Sequence, residues 1–587
     1  MKNFLVKLIT LLLAVASCFM MLPSCNKDVG SEDTSQSDIP SPPEKLILIS
    51  DGISNCRIVR SASATNDINE IAKNVATAIG SYTGVTPKMG TDLVSPGKEL
   101  DHSTVEILIG ITDYTESSEA LSTITYGDYI LKVVGNKLVI NSSTLEGLKA
   151  AMSEFNKILL SNAKEGDFSV SSDICNTGTS VKMLNSLPTY TNGNLLPAYD
   201  AGDNCKMLMI ENTNMAEYSA YCEALSSSGY TLYTENEIAN NSFATYTNDS
   251  YIVNTCYYEN QKATQIIVEP LAVLPEHKSD STFEKLVEPS VAMLGQAFPI
   301  EGLTDKAQSG LSMIFQASDG SFIIIDGGYV HSDTGANLIY EYLLKHAPDP
   351  DNIVIDSWII THAHTDHVGG FTKFADYYAD KVKLVNLIVN FPSDQAKADG
   401  GISNDLTASR TVLQKVKNFQ NTKVIKAHAG YRFYCADISF EVLYTHENLY
   451  PSLLTRGNSS SIVLNVEMSG QKLLMLADAT EYVCKVLADT YGEYLKSDIV
   501  TTAHHGAETG ADTHDAVISV YRLASAPVVL WPSKKEYYDK VSGNPHNAYL
   551  INSDSTKEIF VADNRIIRLV LPYAVGTSGI DVITKGN

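Results

Sequence analysis

WIITHAHTDHVGGF, Trp358–Phe371, places three histidines and an aspartate within six residues directly after an apolar run, in a chain of 587 residues with thirteen histidines. An apolar run that ends this way reads as a buried strand delivering polar side chains at its C-terminal end. Alternation along the strand puts His362 and His364 on one side. Asp366 and His367 follow in a turn and reach a second point nearby, and Gly369-Gly370 let the chain swing into a helix over FTKFADYYAD. Imidazole nitrogen and carboxylate oxygen are donors that zinc favours, and a hydrolytic site keeps one position open for water. The competing reading is a polar loop rich in imidazole. Four ligands in six residues close only part of two coordination shells, so a metal site needs donors from elsewhere in the chain.

Eleven of the thirteen histidines fall after position 300. Upstream of the opening stretch, LSMIFQASDGSFIIIDGG (311–328) reads as a hairpin turning at Asp319-Gly320, followed by the helical HSDTGANLIYEYLLKHA. Downstream, SIVLNVEMSGQKLLMLADAT is a second hairpin, turning at Ser469-Gly470, whose last strand ends in Asp478. LKSDIVTTAHHGAE is a further strand, ending in His504 and His505. Each polar candidate thus sits at the C-terminal end of an apolar strand. His331, His428, His446 and His514 lack that context and are expected to be ordinary surface or loop histidines.

THAHTDHVGG, IIIDGG, LLMLADA and TTAHHG, in their order and spacing, resemble the metallo-β-lactamase superfamily over about 280 residues. The resemblance implies an α/β fold whose C-terminal region, 301–587, is a metallo-β-lactamase αββα sandwich. It also implies a hydrolase with two divalent metal ions, Zn2+ by expectation and Mn2+ as the alternative. Carried over residue by residue, it implies that His362 and His364 bind the first metal. Asp366 and His367 bind the second, Asp478 bridges, and His504 completes the second shell. Asn458, in TRGNSSSIVL, stands where many members carry a further histidine. Its amide is the weaker ligand, and His446 in VLYTHENLY is the candidate to swing in. GNSSSIVL, LLMLAD, AHHGAE and NPHNAYL look most like the branch containing the lactamase-like domain of DNA-uptake channels and the phosphorylcholine esterases. Members of that branch with known activity act on phosphodiesters. Asp366 is also the catalytic candidate to orient the nucleophile, and His505 or His546 the candidates to stabilise or protonate the leaving group; His546 matches a histidine that follows the catalytic core in that branch. Asp478 further separates the chain from antibiotic-hydrolysing members, which usually carry cysteine there.

The remaining sequence frames this domain. Residues 1–25 read as a lipoprotein signal peptide: Lys2 and Lys7, then the nearly all-apolar Leu8–Leu22, then LPSC. That run is short for a membrane span. Its ending resembles a bacterial lipobox and implies a lipid-modified Cys25, in preference to Cys18. The expected location is the extracytoplasmic face of the cell membrane, or secretion if the leader is simply cleaved. Residues 26–43 are a polar tether. Residues 44–180 alternate strand and helix and resemble a small α/β accessory domain of glycoside hydrolases. Residues 185–300 read as a second small α/β domain, with its many tyrosines as partly buried sheet residues. Seven cysteines follow Cys25 with no CxxC pair, which argues against a disulfide scaffold.

The function expected is an exported, membrane-anchored, metal-dependent hydrolase acting on a phosphodiester or phosphoester of a small molecule or cell-wall polymer. The alternatives are a carbohydrate-binding surface lipoprotein with a non-catalytic lactamase-like scaffold, and a nuclease. Acidic residues exceed basic ones by 68 to 43, which disfavours a broad grip on nucleic acid.

Overall fold

The structure is a computed structural model. It describes residues 43–578 apart from 96, 125–126, 143, 180–182, 197, 203, 277–281, 296–309, 330–332 and 509–513. The leader with Cys18 and Cys25, nearly all of the tether, and His331 lie outside the described residues. No described helix is long and apolar enough to cross a membrane. The chain divides after Lys182 into two compact units.

The first unit is a mixed α/β body. Its six-stranded sheet runs in the order Cys175–Thr179, Asp128–Val134, Lys137–Ser142, Glu106–Ile109, Arg57–Arg60, Lys88–Thr91, with the last four strands parallel. The helices Asn66–Thr83 and Leu145–Asn162 start at Thr65 and Thr144, whose side chains accept from Ile68 N–H and Gly147 N–H. Such caps satisfy donors that the first helical turn cannot pair. Both helices bury one apolar face in the core of Ile71, Val75, Ile79, Leu148, Phe155 and Leu159.

The second unit begins with an antiparallel sheet and one helix, Met215–Ser227, opened by a capping box between Asn214 and Glu217. Its tyrosines 218, 221, 230, 246, 257 and 258 are buried, as sheet and core residues. Ile238, Phe243 and Tyr258 share a core with Leu443, Leu476 and Val500 of the following region. Asn236 Nδ2 donates to Gly430 O and Asn241 Nδ2 to Thr490 O. This layer is therefore packed on the C-terminal region, not a free-standing domain. The boundary expected at 300 also moves, because Ser290–Leu294 lies within a sheet of the C-terminal region, paired to Met313–Gln316 and Ile566–Val570.

That region is an αββα sandwich. One seven-stranded sheet has the order Lys423–Lys426, Val382–Val389, Ile353–Ile359, Phe322–Ile325, Met313–Gln316, Ser290–Leu294, Ile566–Val570. The other has the order Arg432–Cys435, Ile438–Tyr444, Val463–Met468, Gln471–Met475, Ile499–Thr501, Val528–Trp531, Glu558–Val561. Side chains such as Phe315, Ile325 and Ile359 of the first meet Phe440, Val466 and Leu530 of the second in the central core. The outer faces are covered by helices Asp333–His346 and Thr365–Tyr377 on one side, and by Glu481–Tyr491 and Asp515–Ala524 on the other. Strands buried on both faces read as unbroken apolar runs such as FIII and VVLW. Phe322–Ile325, Ile353–Ile359, Val382–Val389 and Lys423–Lys426 are parallel, as are the last four strands of the second sheet. Open α/β sheets place their sites beyond the C-terminal ends of such strands.

Candidate metal centre

The strand Ile353–Ile359 ends before His362 and His364, which lie on the connecting segment, and the helix starts at Thr365. Asp366 and His367 therefore occupy the first helical turn, where the sequence suggested a separate turn. Trp358 fixes the junction: its ring meets Phe371 and Phe374 edge-on at 5.0 and 5.1 Å, and Nε1 donates to Asp326 O. Each such aromatic pair is worth about 0.5–1.5 kcal/mol beyond burial. The two glycine pairs explain one another. Gly327 N–H donates to His367 O, Gly370 N–H donates to Gly328 O, and a Cβ on Gly370 would fall on Gly327 O. IIIDGG and HVGG are thus two halves of one backbone contact that seats the helix start against the strand end.

Two donor groups share Asp478. In the second, His367 Nε2 and His505 Nε2 stand 3.3 Å apart, 3.1 and 3.2 Å from Asp478 Oδ1, with Asp366 Oδ2 3.6 Å from His505 Nε2. In the first, His362 Nε2 and His364 Nδ1 are 3.0 Å apart, and Asp478 Oδ2 is 3.8 Å from His362 Nε2. The inner members His362, His367, Asp478 and His505 are no more than 3% exposed, whereas His364 and Asp366 are 23% and 26% exposed. The centre is closed on its inner side and open at one mouth.

The chemistry of the donors fits cations. His367 Nδ1–H donates to Asp326 Oδ2, and His505 Nδ1–H donates to Pro532 O. Each ring then turns Nε2 toward the buried Oδ1 of Asp478. Burial opposes their charge, but the Asp478 carboxylate outweighs it and keeps both imidazoles charged above their ordinary value; a cation would take the place of those two Nε2 protons. Burial raises the Asp478 carboxyl, but the charges of His367, His505 and His504 outweigh it and hold it well below the usual range. Burial, with His367 and His364 nearby, pushes His362 well below the ordinary imidazole value.

The second donor group contains His505 where His504 was expected. The strand Ile499–Thr501 gives way to the short turn Ala503–Gly506, in which His504, His505 and Gly506 have φ of 47°, 54° and 81°. Successive left-handed residues turn the chain at each step, so His505, not His504, is directed into the second group; such backbone strain gathers at functional sites. His504 Nδ1 donates to Glu508 O, and its Nε2 accepts from Asn458 Nδ2. It stands 3.8 Å from Asp478 Oδ2, on the side of the first group. Asn458 thus occupies the expected neighbourhood with its Oδ1 buried and unpartnered.

His446 does not swing in: it is buried, Nε2 donates to Asn390 Oδ1, and it belongs to neither group. His428 is also buried, between Glu269 and Glu447. Neither is the surface histidine the sequence suggested. His546 is buried with Nδ1 2.9 Å from His514 Nδ1, outside both donor groups. Burial holds the His446 imidazole down, from 6.5 to about 4. Between those values the unfolded chain binds the extra proton, so this histidine's contribution is present above about 6.5 and is lost as pH falls through 4. Denaturant unfolding at both pH values should show His446→Gln losing about 2–3 kcal/mol less than wild type over that interval.

Supporting residues were not legible in the motif. Asp326 accepts from Thr361 N–H and Thr361 Oγ–H as well as from His367. The only sequence signal was an aspartate closing the IIIDGG strand. Asp405 pairs with His364 Nε2 at 2.9 Å from a loop with no recognisable pattern. Gly457 is required beside them, since a Cβ there would meet His364 Nε2 and Asp405 Oδ2. Carboxylates that orient a metal-bound imidazole typically contribute 10–100-fold to affinity or activity. Asp326→Asn is accordingly expected to weaken zinc retention in a chelator titration by about that range.

Residues 307–435 match the model of the metallo-beta-lactamase superfamily. The C-terminal region carries a metallo-β-lactamase superfamily domain. Members of this superfamily are generally metal-dependent hydrolases, and this domain has their metal-dependent, hydrolase-like scaffold. Similar solved structures include the metallo-beta-lactamase fold protein YhfI from Bacillus subtilis, 13% identical, with 48% of this chain and 100% of that chain covered and a TM-score of 0.28. Unliganded yeast PDE1 is 13% identical, covering 49% and 100%, with a TM-score of 0.29. CmlA, a diiron beta-hydroxylase from Streptomyces venezuelae, is 14% identical, covering 52% and 55%, with a TM-score of 0.28. No curated protein matches the chain.

Proposed function

We propose that the metallo-β-lactamase domain hydrolyses a phosphodiester or phosphoester with two divalent ions, zinc by donor chemistry. One is held by His362, His364 and Asp478, the other by Asp366, His367, Asp478 and His505. The observation that carries this reading is the double use of Asp478, whose two oxygens face two separate donor groups. Such an ion pair, when bound, supplies Lewis acidity and makes hydroxide available near neutral pH.

The chain's own residues do the positioning. Asp326 and Pro532 O keep Nε2 of His367 and His505 turned inward. The buried wall of His362, His367 and Asp478 excludes bulk water from the inner side. Asp366, the more exposed member of the second group, orients the attacking nucleophile in this reading. Asp478 in place of cysteine supports a phosphoester over a β-lactam. The leader read in residues 1–25 supports export and anchoring through Cys25, with a small phosphorylated molecule or a wall polymer as substrate.

The test is hydrolysis of bis-p-nitrophenyl phosphate by the full chain, with metal content measured alongside. Wild type should turn over, and Asp366→Ala should lose on the order of 10³-fold, the value of a few kcal/mol of transition-state stabilisation. Equal rates in the two proteins, or a wild-type chain free of metal after zinc supplementation, would sink the reading.

A further inference from the structure

A second buried cluster lies away from the catalytic mouth, where the antiparallel sheet meets the C-terminal sandwich. Cys205, Glu269 and His428 each bring one donor atom, and the three lie within 4.8 Å of one another, all buried. Cys205 opens the strand Cys205–Glu211, and Glu269 lies on Ala263–Pro270. The register of those strands pairs Lys206 with Val268, so one step further sets Cys205 opposite Glu269. Two of the three donors are thus held on one rigid ladder. His428 comes from the other partner, just after the strand Lys423–Lys426.

The cluster repeats the construction of the catalytic centre. His428 Nδ1 lies 2.9 Å from Glu447 Oε2, much as His367 Nδ1 lies 2.7 Å from Asp326 Oδ2, and its Nε2 faces a second carboxylate, Glu269 Oε1, at 3.1 Å. The Cys205 thiol is free, fully buried, and makes no hydrogen bond among the described residues. The nearby ammonium of Lys426 is taken up by Ala201 O and Gly202 O. A cavity of about 20 Å³ lined by His428, Gln265, Asn254 and Tyr431 has room for one water beside the histidine.

We propose that Cys205, Glu269 and His428 form a structural zinc site that clamps the antiparallel sheet to the metallo-β-lactamase domain. Thiolate, imidazole and carboxylate together select zinc over magnesium or calcium. Binding displaces two protons, one from the Cys205 thiol and one from His428 Nε2. Two positive charges leave and two enter, so the buried cluster keeps its net charge. Glu447 retains the Nδ1 proton and orients the ring.

The experiment compares zinc per chain in wild type, Cys205→Ser and Asp478→Asn, and records the spectrum of the cobalt-loaded full chain. Cys205→Ser should hold one zinc fewer than wild type. Cobalt-loaded wild type should show a near-ultraviolet thiolate-to-cobalt charge-transfer band, which the catalytic donors, having no sulfur, do not produce. That band should persist in Asp478→Asn, where the catalytic ions are lost, so this site and the catalytic reading fail separately. Equal zinc in wild type and Cys205→Ser overturns the proposal. If Cys205→Ser does not fold, the wild-type spectrum decides alone, and absence of the thiolate band overturns it.

Discussion

Replacing His505 with alanine is expected to lower kcat/KM on a phosphodiester by on the order of 10³-fold, whereas replacing His504 costs about tenfold. The difference follows from where the left-handed turn sends each ring. His505 Nε2 lies 3.2 Å from Asp478 Oδ1 and 3.3 Å from His367 Nε2, so alanine removes a donor from the second group. His504 is tied to Asn458 and Glu508 O at the rim, and alanine there leaves both donor groups complete. Steady-state kinetics of the two variants at saturating zinc make the comparison. A larger loss in His504→Ala would return the ligand role to His504.

Asp478→Asn has the wider consequence, because it alters the one carboxylate that both groups share. The amide keeps the side chain's volume but removes its charge from a position 2% exposed and surrounded by imidazoles. A neutral oxygen is a poor replacement for a bridging anion in a low-dielectric site, where an uncompensated charge is costly. Two zinc equivalents should be lost relative to wild type, with phosphodiester turnover reduced by more than about 10⁴-fold. Elemental analysis and the same kinetic assay check both parts. Unchanged circular dichroism would show that the fold survives the change. Retention of either equivalent would show that Asp478 does not bridge.

The sandwich was legible because its strands are unbroken apolar runs and its hairpins turn at Asp319-Gly320 and Ser469-Gly470. The opening motif marked the centre because four ligand-type residues in six positions rarely serve packing alone. Three features resisted reading for physical reasons. Which of two adjacent histidines points inward depends on φ at positions 504–506, and neighbouring residues in sequence carry no signature of that turn. Asp326 and Asp405 act through histidines 41 residues away in each case, and a contact made only in the folded chain leaves no local spacing to detect. The dependence of the 185–300 segment on the C-terminal core escaped notice because its strands alternate weakly and look self-sufficient. Only packing shows Phe243 and Tyr258 joining the neighbouring core.

The central claim is a two-metal centre bridged by Asp478, with His505 as a ligand. A zinc-edge anomalous diffraction map of zinc-loaded crystals tests it directly. It should show two peaks flanking Asp478, one of them about 2.0–2.1 Å from the Nε2 atoms of both His367 and His505. Absence of density between His367, His505 and Asp478, or a peak bound there through His504 instead, would contradict it.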